Sequence, residues 1–401
     1  MAPLRVAIIG GGIGGVALAG ALRQFGIASH IFERAPAFGE IGAGIQMTPN
    51  GVKVLRALGL SEALRDVSFL PHSIVGRDWR TAHVNFRTPL KDECPRLYGA
   101  EFFHVHRADL HRILTTLVTP DMVSCSTSCV AVRQTPRAAV ATFADGREVE
   151  ADVIVGADGL HSVVRRALFG DESPRFTGTM CWRTVVPVPN GRLLDHVSPD
   201  SSFWLGPHGH VVTYYVSSGR AVNVVAIRDT DAWVEESWNV PSTKEEMIAG
   251  FRGWHGNLQK LFEQAEHVVK WGLFDRDPMR TWTAGRITLL GDAAHPMLPF
   301  LSQGAAMAIE DAYVLARVLA GATDVSEALR QYERLRLPRT SRVQIESRRR
   351  GETYHERSPL RKAYRNLLYK VRQFTNPHKG GIQANWVYEY DATTTPLAPA
   401  A

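Results

Sequence analysis

Two glycine-rich stretches lie far apart in the chain, and each suits a close approach of backbone to a ligand. The first, Gly10-Gly11-Gly12-Ile13-Gly14-Gly15, satisfies GxGxxG. Gly10, Gly12 and Gly15 permit a tight turn, contact with a pyrophosphate and close helix packing, and the following helix offers free N–H groups to the anion. Glu33 stands 18 residues after Gly15, where an acid would bind a ribose 2′-hydroxyl, and Arg34 beside it joins the cofactor-binding set. These residues alone do not separate FAD from NAD, and the alternative, a glycine-rich structural turn, leaves Glu33 to coincidence. The second stretch, GDAAHPMLPFLSQGAAMAIEDA (residues 291–312), sets Asp292 at the end of the strand GRITLLGD. Ligands of open α/β sheets bind outside such strand ends. Ser302 is placed to cap a helix from Gly304 to about Ala320, with Ala308, Ala312, Leu315 and Leu319 on one stripe and Gly321 past its end.

The elements that position these residues follow from pattern. LRVAIIG (residues 4–10) is a buried β-branched strand, GGVALAGALRQFG has helical spacing, and ASHIFER returns as a strand, giving a βαβ unit. A second glycine turn, Gly42-Ala43-Gly44-Ile45-Gln46, precedes Thr48-Pro49, which begins a short helix ending at Gly59. HRADLHRILTTL opens another helix with Arg107 at its entrance. After a tight turn at residues 144–146, ADVIVGADGLHSVVRR predicts a parallel-type strand ending in Gly156-Ala157-Asp158-Gly159. From about Thr177 to Trp271 the pattern alternates, as in HVVTYYV and AVNVVAI, which predicts an antiparallel layer.

Composition narrows the function classes. The chain has 401 residues, 45% hydrophobic and 21% charged, enough for a substantial core. No apolar run reaches the roughly 18–20 residues of a membrane span, and MAPLRVAIIGGG lacks a signal-peptide pattern, so the expected location is cytoplasmic. Cys94, Cys125, Cys129 and Cys181 are too few and scattered for a disulfide framework, and no CxxC or HExxH spacing suggests a metal. The net charge is +6, with arginines crowded between Arg334 and Arg372. Without aromatic interleaving this reads as a solvated helix face rather than a nucleic-acid surface.

GGGIGG with Glu33, GADGLHSVVR and GRITLLGDAAHPMLPFLSQG, in this order, resemble the three fingerprints of the single-component FAD-dependent aromatic hydroxylases, the p-hydroxybenzoate hydroxylase fold group. The resemblance runs to about Tyr390, where NWVYEYDA is similar to a C-terminal signature of salicylate-type members. It implies an α/β fold: a Rossmann-like FAD-binding domain of the GR2 type, an inserted antiparallel-sheet substrate domain and a C-terminal helical segment. The expected boundaries are 1–75, 100–176 and 272–350 for FAD binding, 76–99 and 177–271 for the substrate side, and 351–401 for the helical segment and tail. By resemblance, Glu33 holds the adenosine ribose, Gly10, Gly12 and Gly15 the pyrophosphate, and Arg107 another part of the FAD. Asp158 and Gly159 serve FAD and a transient NADH or NADPH, and Asp292 binds the ribitol. Gly304 and Ala305 let the isoalloxazine approach a helix end whose partial positive charge suits the reduced flavin. The absence of a second GxGxxG after a strand agrees with a visiting nicotinamide.

The implied reaction consumes NAD(P)H and O₂, passes through a flavin C4a-hydroperoxide and hydroxylates a phenolic or hydroxypyridine carboxylate of the 6-hydroxynicotinate, 3-hydroxybenzoate or salicylate kind. The expected enzyme is a monomer or homodimer with a small aromatic acid as its partner, and binds neither nucleic acid nor membrane. A phenol reacts best as phenolate, which costs about 4 kcal/mol at neutral pH without a base. His210 begins the strand HVVTYYV and titrates near neutrality, so it is the candidate base. His210, Val212, Tyr214 and Val216 share a face, and His210 to Tyr214 spans about 13 Å, enough to bracket one ring. The His–Tyr pair also resembles that of the 3-hydroxybenzoate and 6-hydroxynicotinate types. His104, His106 and His295 are expected to be structural, and Arg183 in CWRTVVP to form a structural ion pair in preference to meeting a substrate carboxylate. Gln46, Pro299 and Phe300 depart from the family types: the hydroxynicotinate type has histidine at the first position, the 3-hydroxybenzoate type glutamine at the second, and the salicylate and hydroxynicotinate types histidine at the third. They are expected to shape a different pocket. A flavin dehydrogenase or oxidase without oxygen insertion, or a flavin-binding redox regulator, would share the FAD motifs.

Overall fold

The computed structural model describes residues 4–39, 42–231, 240–380 and 384–397. Strand Arg5–Ile9, helix Ile13–Gln24 and strand Ala28–Phe32 form the βαβ unit, the two strands pairing in parallel from Arg5–Ala28 to Ile9–Phe32. They belong to a six-stranded sheet that runs Thr283–Ala284, Ile287–Leu289, Val153–Gly156, Arg5–Ile9, Ala28–Phe32, Val123–Ser124. Only the outer Thr283–Ala284 pairing is antiparallel. Strands buried on both faces need near-continuous apolar sequence, and Val6 to Ile9 and Val153 to Val155 supply it.

A three-stranded meander, Cys129–Gln134, Ala139–Phe143 and Glu148–Ala151, contains the expected turn between its last two strands, where Gly146 adopts φ 84°. The second large sheet has eight strands: Val240–Ser242, Val268–Asp275, Arg175–Pro187, Ala221–Asp229, Gly209–Val216, Ser201–Gly206, Ser73–Asp78 and Val84–Pro89. It is mixed rather than wholly antiparallel, because Ser201–Gly206 pairs in parallel with Ser73–Asp78, a strand that arrives from far upstream. Strands Ser73–Asp78, Arg175–Pro187 and Val268–Asp275 overrun the expected boundaries at 76, 177 and 271 by a few residues. Alternation divides its residues cleanly. Val212, Tyr214, Val225, Ile227 and Leu273 pack in one cluster, while Val211, Tyr215, Val222, Val224 and Ala226 pack in another with Phe251, Trp254 and Phe262. The latter side is covered by helices Lys244–Gly250 and Gly256–Glu263.

Helix Gly304–Ala320 lies in the first core, and Val314, Leu315 and Leu319 are at most 3% exposed, each side chain contributing about 1.5–3 kcal/mol by burial. Ser302 does not cap it: Ser302 is left-handed (φ 54°), and Gln303 occupies the cap position without a side-chain bond. The free hydroxyl position at Thr48 is likewise used elsewhere, since Thr48 precedes helix Pro49–Ala57 but its hydroxyl bonds Asn50 and Gln303. Two acids on the central helix are fully buried. Glu310 pairs with Arg336 and Arg339, and Asp311 with Arg336 and His295.

Those arginines lie on helix Val325–Tyr354, which runs through the expected boundary at 350. The basic segment is therefore not simply a solvated face. Arg336 is 0% exposed, Arg348 bonds Asp275, and Arg339 and Arg342 stack on Tyr390 and Trp386. Carboxylates and aromatic rings far away in sequence neutralise or cover these cations, while Arg334 and Arg349 stay exposed. Helix Pro359–Thr375 then returns to the eight-stranded sheet, with Tyr369 against Phe86.

Candidate active site

The Gly-rich turn, the ends of the parallel strands and the inner face of the eight-stranded sheet enclose one cavity. On the dinucleotide side the turn is closely packed: a Cβ on Gly10 would lie 2.4 Å from Ala157 O, and one on Gly15 2.0 Å from Gly10 O. Gly12, by contrast, faces open space along the cavity. Glu33 accepts hydrogen bonds from the amides of Gly11 (2.6 Å) and Ala35 (2.8 Å), which holds its carboxylate on the turn. Arg34 is exposed beyond it.

Asp158 turns to its own helix. It accepts from the Ser162 hydroxyl and from the amides of Val163 and Val164, at 2.5, 2.7 and 3.3 Å. Burial raises its pKa against the pull of those bonds. Its neighbours Ala157 and Gly159, rather than its carboxylate, line the cavity. Arg107 also lines it, with its amide donating to Ala43 O at 2.9 Å.

Asp292 follows Gly291, whose φ of 62° favours glycine and turns the chain under the cavity. Among the described residues no group donates a hydrogen bond to Asp292, although it opens onto the cavity. Burial in this protein-walled recess raises its pKa, while the charges of His295 and Arg107 lower it. Opposite stands the N-terminus of helix Gly304–Ala320, where Gln303, Gly304 and Ala305 line the cavity and no side chain caps the helix. A Cβ on Gly304 would meet nothing nearer than 3.9 Å. An open glycine cradle, a carboxylate short of partners and an uncapped helix end fit an FAD.

The sheet side carries the predicted catalytic pair. His210 and Tyr214 both line the cavity and are 1% and 4% exposed. His210 Nδ1 lies 2.8 Å from His355 Nε2, and His355 Nδ1 lies 2.6 Å from Asp229 Oδ1. Burial lowers the His210 pKa well below its usual value, the charge on His355 lowers it further, and Asp229 opposes them. Tyr214 packs on His104 with ring centroids 4.4 Å apart, and burial keeps its hydroxyl protonated far above neutrality. His104 is itself buried, and burial pushes its pKa down to about 3, so it is a neutral wall. His106 lies against Gly42, and His295 is fixed by Asp311 at 2.5 Å.

Gln46 donates to Ser201 Oγ at 2.7 Å and is 5% exposed on the cavity wall. Pro299 and Phe300 form a short 3₁₀ turn, and the Phe300 ring sits between His210 (5.6 Å) and His355 (6.1 Å) and against Gly351. Arg183 forms no salt bridge among the described residues, contrary to its expected ion pair. Its Nε is buried without a partner, and its guanidinium stacks over Trp271 at 4.8 Å beside the cavity.

Gly12, Gln46, Arg107, Gly159, His210 and Tyr214 thus meet at one cavity, as do Asp292, Pro299, Phe300, Gly304 and Ala305. Gly10, Gly15, Glu33, Arg34 and Asp158 support it from behind or lie to its side. Sequence reasoning missed His355 and Asp229. Neither stands in a motif, and they lie 145 and 19 residues from His210, so only the fold brings all three together.

This combination defines a flavoprotein with an aromatic-sized chamber beside its flavin cradle. A family model described as an FAD binding domain matches residues 3–347. The chain is 42% identical over 390 residues to 3-amino-4-hydroxybenzoate 2-monooxygenase PtnB3 of Streptomyces platensis, covering 97% of this chain and 96% of that one. It is 39% identical to 6-hydroxynicotinate 3-monooxygenase of Bordetella bronchiseptica, covering 85% and 89%. A salicylate hydroxylase substrate complex superposes with TM-score 0.80 at 30% identity, over 97% and 96% of the two chains. The chain belongs to the FAD-dependent aromatic-ring monooxygenases. FAD is its cofactor, with NAD(P)H and O₂ as co-substrates. The aminohydroxybenzoate relative lies outside the three substrate types that the motifs suggest. Among the described residues no helix is long and apolar enough to cross a membrane.

Proposed function

We propose that the enzyme hydroxylates a one-ring phenolic carboxylate, with 3-amino-4-hydroxybenzoate the first substrate to test, ahead of 6-hydroxynicotinate, 3-hydroxybenzoate and salicylate. One observation carries this reading: Arg183, half-buried with its Nε enclosed and unpartnered and with no salt bridge among the described residues, lines the same chamber as the buried His210. An enclosed donor without an acceptor is costly, and a substrate carboxylate would relieve that cost with charge-assisted hydrogen bonds. The relatives' acidic substrates and their 42% and 39% identities support the same class.

In this reading Arg183 anchors the carboxylate and the ring lies between Tyr214 and the flavin cradle. His210 takes the phenolic proton at Nε2, which lowers the barrier to forming the phenolate. Tyr214, protonated throughout the working range, donates to a ring substituent. Phe300 and Leu298, both at most 7% exposed, keep water from the reacting carbon. Bound FAD, once reduced by NAD(P)H, supplies the activated oxygen. The remaining site assignments follow the cavity: Asp292 for ribitol, Gly12 for pyrophosphate, Glu33 for adenosine ribose, and Gly304 and Ala305 for the ring edge. We assign residues 73–89 and 175–275 to the substrate side, and the enzyme to the cytoplasm as a monomer or homodimer.

The test is a screen of the four acids for stimulation of NADH and NADPH oxidation, with product mass measured after turnover in ¹⁸O₂. A labelled product from 3-amino-4-hydroxybenzoate is expected. NAD(P)H consumption that never yields labelled product from any phenolic carboxylate would overturn the reading.

A further inference from the structure

His210 presents a difficulty as a base. It is 1% exposed, so a proton accepted there would leave a buried imidazolium. The hydrogen bonds behind it supply a way out. Asp229 accepts the hydrogen on His355 Nδ1 and another from Arg357 Nη2 at 2.6 and 2.8 Å. A carboxylate only accepts, so neutral His355 carries its hydrogen on Nδ1 and leaves a lone pair on Nε2. That lone pair, 2.8 Å from His210 Nδ1, requires His210 to carry its hydrogen on Nδ1. His210 Nε2 is then left with a lone pair for the cavity that His210 lines. The acid at the far end thus sets the tautomer that the near end needs.

Exposure rises along the same path: 1% for His210, then 9% and 18% for the side chains of His355 and Asp229. His355 also caps the C-terminus of helix Val325–Tyr354, its amide donating to Gly351 O, and the negative end of a helix favours a cation. The charged and titratable groups around the pair are Asp229 and Arg357 on its outer side and His208, 3.5 Å from Asp229. Toward the interior the pair meets the rings of Tyr354 and Phe300.

We propose that His210, His355 and Asp229 form a proton relay that carries the substrate's phenolic proton from the chamber to solvent. This rests on the phenolic-substrate reading above. The substrate O–H bond breaks as a hydrogen forms on His210 Nε2. The hydrogen on His210 Nδ1 passes to His355 Nε2, and the resulting imidazolium rests beside the Asp229 carboxylate until it gives a proton to water. The substrate ends as phenolate, facing a neutral His210 whose Nε2–H now donates to it; no electron is transferred. His355 and Asp229 are positioning and relay groups behind the base, not contacts of the substrate. The depressed His210 pKa is consistent with a group that passes a proton on rather than keeping it.

The test uses the FAD-loaded enzyme without reductant and 4-hydroxy-3-nitrobenzoate, whose phenolate is coloured. Stopped-flow mixing reads probe ionisation, and a pH indicator in weak buffer reads proton release. Wild-type enzyme is expected to ionise the probe and release its proton together. His355→Ala should bind the probe but ionise it about tenfold or more slowly, with imidazole in solution restoring the rate. Asp229→Asn should slow ionisation less and raise the apparent pKa of the bound phenol. Proton inventory on the wild type needs no variant: a curved dependence of the rate on D₂O fraction is expected from two protons in flight. A linear inventory, or His355→Ala ionising the probe at the wild-type rate, overturns the relay. Wild-type enzyme that binds the probe without ionising it also overturns the relay and leaves the hydroxylase reading standing. Failure of every phenolic carboxylate to bind removes that reading and the relay with it.

Discussion

Two buried polar clusters behave in opposite ways. Behind the flavin cradle, Glu310 and Asp311 meet Arg336, Arg339 and His295, and the first three of these are 0% exposed. Every partner there is an opposite charge or a fixed donor, and the cluster ties helix Gly304–Ala320 to helix Val325–Tyr354. Beside the substrate chamber, His210, His355 and Asp229 lie in a line with a cavity at one end and rising exposure at the other. Burial of ionisable groups is common to both. Direction separates them: a closed set of pairs fixes structure, whereas an open chain from cavity to surface can move a proton.

The sharpest way to break this comparison is Arg336→Met, which leaves Glu310 and Asp311 short of a buried counter-charge. A loss of about 3–5 kcal/mol in unfolding free energy is expected from denaturant titration. An activity loss with unchanged stability would mean that the closed cluster is more than structural.

His210→Ala should do the reverse. Turnover should fall about 10²–10⁴-fold while flavin content and denaturation midpoint hold, as steady-state assays and flavin absorbance would show. The deficit should shrink as pH rises toward the phenol's own pKa, about 10. A constant deficit across pH would remove His210 as the base.

Arg183→Met sharpens the contrast between Arg336, buried among acids, and an arginine without a salt bridge among the described residues. Binding of carboxylate ligands should weaken by about 10–100-fold, read by flavin-absorbance titration, while the corresponding phenols without a carboxylate bind as before. Equal loss for both ligand sets would assign Arg183 to packing.

The smallest expected effect concerns Asp229. Burial would raise its carboxyl, but hydrogen bonds and charge from His355 and Arg357 outweigh burial and hold it at about 2, below the ordinary 3.8. A depressed acid stabilises the fold above its unfolded pKa and loses that contribution as pH falls through the folded value. Acid unfolding of the wild type should therefore show an extra loss between about pH 4 and pH 2 that Asp229→Asn lacks. Identical slopes in that window would mean that the outer end of the chain is not held as an ion pair.

Much of the flavin side is legible without coordinates because its constraints are local. A tight turn needs glycine at Gly10, and a strand–turn–helix needs apolar runs on either side; both occur within a few residues. The same holds for Asp292 after Gly291 and for the helix beginning at Gly304. The Ser302 cap is the exception, since the chain reaches that helix through a left-handed residue that carries the hydroxyl away. On the substrate side, period-two alternation sets His210, Val212 and Tyr214 on one face, but says nothing of what stands behind that face.

The sequence by itself determined the order of motifs, the βαβ turn and the facing of HVVTYYV, because short-range sterics and periodicity act within one element. The tertiary structure alone decided that Arg183 lines the chamber without a salt-bridge partner among the described residues, that Arg336 is buried among acids, and that His355 and Asp229 stand behind His210. Electrostatic and proton-transfer partners act over a few ångströms of space, whatever the number of residues between them. Here 145 residues of chain close to a 2.8 Å hydrogen bond.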